Sequence, residues 1–119
     1  MNKEEINFSI ADKFTIYPGP RYKKQGENSG QKFFEENLDG LMRTAIEKDQ
    51  TLAINLDGTA GYASSFLDEA FGNLVLKYTK EIVLNHLKII SEIEPDWKEM
   101  ILEETIPEWE QKRIDSLTK

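Results

Sequence analysis

The 119-residue chain contains no cysteine and only one histidine, His86. The absence of thiols excludes disulfide bonds, thiolate metal sites and cysteine nucleophiles, and one imidazole supplies too few ligands for a typical zinc site. We therefore expect neither a metal nor another cofactor. A chain without cysteine is also typical of a reducing compartment, so a cytoplasmic location is expected.

Long apolar runs and basic charge are also scarce. No stretch approaches the roughly 20 apolar residues of a membrane helix, and residues 1–5 lack the basic-then-apolar order of a secretory signal. Lysine and arginine number 15 against 22 acidic residues, for a net charge of −7. Because nucleic acids are bound through basic side chains, we expect no nucleic-acid partner. Because no long apolar run is present, we also expect no membrane partner. The acidity is concentrated in predicted C-terminal helices at residues 94–117.

The N-terminal half predicts a hairpin followed by a helix. Apolar residues alternate with polar ones over residues 6–10 and 14–17, which predicts two short strands around a turn at residues 11–13. Ser29 is placed to cap a helix running to about Lys48, since serine accepts hydrogen bonds from the amides of a first helical turn. We expect the apolar residues of the C-terminal helices to dock on the sheet.

The centre of the chain predicts a βαβ unit. Residues 51–56 and 82–84 have strand composition, and residues 87–90 could extend the second strand or form a separate one. Between them, Ser65 and Asp68 have the spacing of a capping box that opens a helix. A right-handed crossover is the rule for such units. The predicted fold is therefore α/β, with a small mixed β-sheet covered by helices, in one domain over residues 1–119.

One segment carries a family resemblance. Its most specific part is the run Ser64-Ser65-Phe66-Leu67-Asp68-Glu69-Ala70-Phe71-Gly72, supported upstream by Pro20-Arg21-Tyr22 and residues 28–34. Over residues 18–90 the chain resembles a STAS-like domain family of unknown function. It is more distantly similar to the anti-sigma-factor antagonists, in which an Asp-Ser-Ser-Gly-type sequence opens a helix and a partner kinase phosphorylates the first serine.

The resemblance implies a regulatory protein-binding module rather than an enzyme, with a kinase-like ATPase as the partner. Ser64 matches the phosphorylated serine, whereas Ala63 and Phe66 replace the aspartate and glycine of the antagonists. Phosphorylation of Ser64 would break the complex. The simpler interpretation is that Ser65 caps the helix and Ser64 lines the turn. The sequence is also compatible with a homodimer.

A second hypothesis concerns the loop from Arg21 to Gly30. Basic side chains there precede the helix start at Ser29 and Gly30, and free amides at such a start favour anions. The loop could therefore sense a small anion or a nucleotide, or it could be an ordinary solvated loop. No catalytic set is apparent, because Ser64 has no nucleophile-elbow motif and His86 is the only imidazole available to it.

Overall fold

The three strands of the protein form one parallel sheet. The computed structural model describes residues 3–118, so both ends of the predicted domain lie outside it. Strands β1 (Glu5–Ser9), β2 (Thr51–Asn55) and β3 (Leu87–Ile90) lie side by side in chain order. Leu52 pairs with Leu87, and Ile54 pairs with Ile89 in the same register. The predicted α/β class is confirmed, although the sheet is wholly parallel rather than mixed.

Helices make up most of the rest of the described chain. They are α1 (Ile10–Lys13), α2 (Gly30–Phe33), α3 (Asp39–Glu47), α4 (Ser64–Tyr78), α5 (Lys80–His86), α6 (Pro95–Met100) and α7 (Ile106–Leu117). A π-helical segment, Phe34–Leu38, joins α2 to α3, and a second one, Ile101–Thr105, joins α6 to α7. Residues 30–47 and residues 95–117 therefore each form one continuous helix that contains a single wider turn.

The predicted N-terminal hairpin is wrong, because the chain turns into a helix after β1. The Ser9 hydroxyl caps α1 by accepting a hydrogen bond from the Asp12 amide at 3.3 Å. The amides of Phe14 and Thr15 then both donate to the Ile10 carbonyl, which closes the turn. Residues 14–17 form no strand in the described structure. Phe14 packs partly buried against the core, whereas Ile16 is exposed, so the alternation at residues 14–17 does not mark a strand.

The predicted strand at residues 82–84 is also wrong, because these residues lie in α5. Thr79 caps this helix by accepting from the Ile82 amide at 3.4 Å. Val83 is the buried residue of α5, while Ile82 and Leu84 are exposed. The last strand is residues 87–90, the separate short strand that the sequence left open.

The predicted helix after Ser29 is confirmed. The Ser29 hydroxyl accepts from the Lys32 amide at 3.0 Å, and the side chain is fully buried. The core lies between this helix, α4 and the sheet, where Ile54 of β2 and Leu74 of α4 are both fully buried. Four aromatic rings cluster around Phe33, with centroids 5.3–6.4 Å away.

The C-terminal helices pack mainly on α4, not on the sheet as predicted. Pro107 lies in the first turn of α7, directly after the second π-helical segment. A proline ring ordinarily clashes with the carbonyl four residues earlier, and a wider turn gives it room. The helix therefore continues past Pro107. None of the helices among residues 3–118 is long and apolar enough to cross a membrane.

Candidate functional site

The start of α4 lines a cleft at the surface of the protein. Ser64 is the first residue of α4, and it is exposed. The cleft, which we call the Ser64 cleft, has a volume of about 310 Å³ and is lined by Arg21, Ser64, Asp68, Met100, Glu104, Thr105 and Glu108. Three segments of the chain meet here: the loop after Pro20, the first turn of α4, and the helix running from α6 through α7. Another protein could therefore reach the Ser64 hydroxyl.

The predicted cap at Ser65 is wrong, because α4 begins two residues earlier than such a cap requires. Ala63 is the N-cap, with an extended backbone (φ −74°, ψ 138°) and no side-chain acceptor. The Phe66 amide donates to the Ala63 carbonyl instead, at 3.0 Å. Ser65 is the second helical residue and is half-buried. The Ser65–Asp68 pair is therefore out of register with a capping box, and Asp68 is free for another role.

Asp68 joins the three segments of the cleft. Its Oδ2 accepts a hydrogen bond from Arg21 Nη1 at 2.9 Å, and its Oδ1 accepts from Trp109 Nε1 at 3.0 Å. Arg21 Nη1 also donates to Glu69 Oε1, at 3.2 Å. Partial burial opposes the charge of Arg21, yet pairing with both carboxylates raises its pKa above the ordinary value. The guanidinium therefore stays charged and holds the loop to α4.

Two glycines allow the neighbouring helices to approach α4 closely. A Cβ atom at Gly72 would lie 2.1 Å from Cε2 of Trp109, so only glycine leaves room for the indole. A Cβ atom at Gly30 would lie 2.4 Å from the Phe66 carbonyl oxygen. Gly72 therefore allows α7 to pack closely on α4, and Gly30 allows α2 to pack closely on another part of α4.

The geometry gives little support to anion binding by the loop from Arg21 to Gly30. The Gly30 amide donates to the Pro20 carbonyl at 2.9 Å, and the Gln31 amide donates to the Arg21 carbonyl at 3.0 Å. The Ser29 hydroxyl accepts a hydrogen bond from the Lys32 amide. The helix start at Ser29 and Gly30 is therefore buried and hydrogen-bonded. Arg21 faces Asp68 and Glu69, and Lys23 pairs with Glu35, so two of the three basic side chains of the loop already face carboxylates.

Ser64 and His86 lie at opposite ends of the parallel sheet. Ser64 follows the carboxyl end of β2, whereas His86 immediately precedes β3 and its Nδ1 lies 2.8 Å from the Gln50 carbonyl oxygen. The histidine therefore cannot act as a base for the serine. Among residues 3–118, no group of three histidine, cysteine or acidic side chains could hold a metal ion.

The family model for a STAS-like domain of unknown function (DUF4325) matches residues 29–97. This range is more than half of the chain. The protein belongs to this family. No curated protein and no solved structure matches the chain. The match includes Ser64, Asp68 and Gly72, so it covers the α4 side of the cleft.

Two residues of the cleft network lie outside the family match. Arg21 precedes it and Trp109 follows it, although both side chains bond to Asp68. Sequence reasoning placed Arg21 at a ligand site and assigned no partner to Trp109. Trp109 lies 41 residues from Asp68 in the sequence, and no sequence pattern predicts a hydrogen bond between two residues so far apart along the chain. The close approach of Trp109 to Gly72 was missed for the same reason.

Proposed function

We propose that this STAS-like domain is a regulatory protein-binding module, not an enzyme, and that phosphorylation of Ser64 controls its binding. The observation that carries the proposal is the place of Ser64, which is exposed at the first residue of α4 and lines a surface cleft. Its position also matches the phosphorylated serine of the anti-sigma-factor antagonists. By the same analogy, the partner is a kinase-like ATPase.

The charges around Ser64 indicate how a phosphate would act. Asp68, Glu104 and Glu108 line the cleft together with a single base, Arg21. Arg21 is already shared between two carboxylates. A phosphoserine carries a charge of about −1.5 to −2 at neutral pH, so it would add to an existing negative excess. Repulsion from these carboxylates would change the surface that a partner meets, and the complex would weaken.

The alternative function, sensing of a small anion or a nucleotide by the loop from Arg21 to Gly30, has less support. Its arginine is paired with carboxylates, and the amides at the start of α2 are hydrogen-bonded. The regulatory proposal needs no such donors, because it requires only a reachable hydroxyl. It is therefore the function that the geometry supports best.

The test measures phosphorylation and binding separately. The full chain is purified from its native host and phosphate is located by mass spectrometry, with Ser64 as the expected site. The partner captured on the wild-type chain is then purified, and its affinity is measured for the variants Ser64→Ala, Ser64→Asp and Ser116→Asp. Ser116 is an exposed serine near the end of α7 and serves as the matched charge control.

We expect Ser64→Asp to weaken the complex at least about tenfold, a loss of about 1.4 kcal/mol. Ser64→Ala and Ser116→Asp should bind like the wild type. If Ser64→Asp also binds like the wild type, or if phosphate is found only at other residues, the proposed switch is wrong. Circular dichroism of each variant checks that the fold is kept.

A further inference from the structure

A second pocket lies at the carboxyl ends of β2 and β3. Its volume is about 250 Å³, and it is lined by Leu56, Asp57, Gly58, Thr59, Ala60, Gly61, Tyr62, Ser91, Ile93, Glu94 and Trp97. We call it the carboxyl-end pocket. It shares no residue with the Ser64 cleft. Ligands of open parallel sheets commonly bind outside the carboxyl ends of the strands, where loops from neighbouring strands face each other.

Two aromatic side chains form part of the wall. The rings of Tyr62 and Trp97 lie 6.0 Å apart between centroids and nearly perpendicular, at 74°. The Tyr62 hydroxyl donates to the Leu56 carbonyl at 2.7 Å, and burial raises the pKa of Tyr62 to about 12. Tyr62 is therefore a neutral and fixed ring. Trp97 lines the pocket and is half-buried, so part of its indole surface is accessible.

The charge of the pocket is negative. Asp57 and Glu94 line it, and none of its lining residues is lysine, arginine or histidine. The two oxygens of Asp57 accept hydrogen bonds from the backbone amides of Glu92 (3.2 Å) and Ile93 (3.1 Å). These bonds fix the loop after β3 against the loop after β2. Among the described residues, neither Asp57 nor Glu94 takes part in an ion pair, so no side-chain cation neutralises them.

Apolar side chains are exposed beside the pocket. Ile93, which lines it, is 72% exposed. Ile16 is 48% exposed, and its carbonyl accepts from the Ala60 amide at 2.8 Å, which places it next to a lining residue. An anionic ligand such as a nucleotide phosphate would meet two carboxylates here, despite the glycines at positions 58 and 61. A ligand with a positive charge and methyl or methylene groups would complement both the charge and the apolar edge.

We propose that the carboxyl-end pocket binds an organic ammonium group. Cations are attracted to the faces of tryptophan and tyrosine, and this attraction is the usual means of recognising quaternary ammonium groups. The carboxylates supply the opposite charge. A volume of about 250 Å³ is below that of pockets for drug-sized molecules, roughly 300–1,000 Å³. It therefore suits a small amine or a single lysine side chain of another protein.

The test uses the two tryptophans as internal reporters. The indole N–H signal of Trp97 is followed by nuclear magnetic resonance, while Trp109, which bonds to Asp68 and does not line the pocket, serves as the reference. The probes are choline, its neutral isostere 3,3-dimethyl-1-butanol, and a blocked lysine amide, each up to about 10 mM, which detects millimolar affinity. Each probe is titrated into the wild type, Glu94→Gln and the matched control Glu92→Gln, whose exposed carboxylate does not line the pocket.

We expect choline or the blocked lysine to shift the Trp97 signal in a saturable way, and the neutral isostere to bind at least about tenfold more weakly. Glu94→Gln should weaken cation binding about threefold to fivefold, as loss of one partly exposed charge pair does, and Glu92→Gln should leave it unchanged. Tighter binding of the blocked lysine than of choline identifies a protein side chain as the ligand, and the reverse order identifies a free amine. The absence of any Trp97 shift, equal binding of the neutral isostere, or an unchanged affinity in Glu94→Gln would overturn the proposal.

Discussion

Replacing Gly72 with alanine would place a methyl group where the Trp109 indole lies. The added Cβ atom would sit 2.1 Å from Cε2 and 2.3 Å from Cδ2 of the ring, so the tryptophan must move. Moving it also breaks the hydrogen bond from Nε1 to Asp68, which is 3.0 Å long and has a charged acceptor. The substitution therefore tests the contact between α4 and α7 with the smallest possible change.

The magnitude follows from three contributions. Overpacking a core contact costs about 1–3 kcal/mol, and loss of a hydrogen bond to a charged group costs about 1.5–3 kcal/mol. Alanine is a better helix former than glycine by about 1 kcal/mol, which offsets part of this loss. We therefore expect Gly72→Ala to lower the free energy of unfolding by about 1.5–5 kcal/mol.

Gly40 provides a control of the opposite sign. It lies in α3, is exposed, and a Cβ atom there would have no neighbour within 4 Å. Gly40→Ala should therefore gain the helix propensity alone and stabilise the protein by up to about 1 kcal/mol. Urea denaturation followed by circular dichroism gives both free energies from the midpoint and slope. If Gly72→Ala is as stable as the wild type or as Gly40→Ala, Trp109 does not pack on Gly72 as described.

Three further predictions concern the core, an ion pair and a helix cap. Ile54→Ala and Leu74→Ala should each cost about 2–5 kcal/mol in urea denaturation, because both side chains are fully buried, and an unchanged midpoint would contradict their place in the core. Hydrogen bonding from Arg113 lowers the pKa of Glu110 to about 2 from the usual 4.5, so its contribution to stability is present above pH 4.5 and is lost as the pH falls through 2. Thermal unfolding of Glu110→Gln should accordingly depend less on pH between 4.5 and 2 than that of the wild type, and parallel curves would refute the pairing. Ala63→Ser should raise the free energy of unfolding by about 1 kcal/mol, since the N-cap of α4 lacks a side-chain acceptor; no gain would place the cap elsewhere.

Local patterns predicted the elements whose signals are local. Ser29 is followed by a long amphipathic stretch, and residues 51–56 form an apolar run of strand length, so both were assigned correctly. The two wrongly predicted strands, at residues 14–17 and 82–84, lie in short apolar segments. The composition of residues 82–84 is compatible with a strand and with one helical turn. The Thr79 hydroxyl stabilises the helix, because it accepts a hydrogen bond from the Ile82 amide. Ser9 does the same for α1.

The candidate site could be predicted only in part. The sequence placed Ser64 close to a helix start after a glycine-containing loop, because strand, loop and helix signals follow one another along the chain. The contacts around it join Asp68 to Arg21 and Trp109, which are 47 and 41 residues away. Such pairs depend on how whole helices pack, and a single sequence carries no periodic signal for them.

The parallel order of the sheet has a consequence for the rate of folding. No two of its strands are joined by a hairpin, since Glu5 pairs with Thr51 and Leu52 pairs with Leu87, at separations of 46 and 35 residues. The entropy of closing such loops must be lost before the pairing stabilises the chain, and folding slows as contacts become less local. The central strand β2 remains without both of its neighbours until these loops close. Its apolar side chains and its unpaired backbone N–H and C=O groups are therefore open to association with other chains during synthesis, when β3 has yet to emerge.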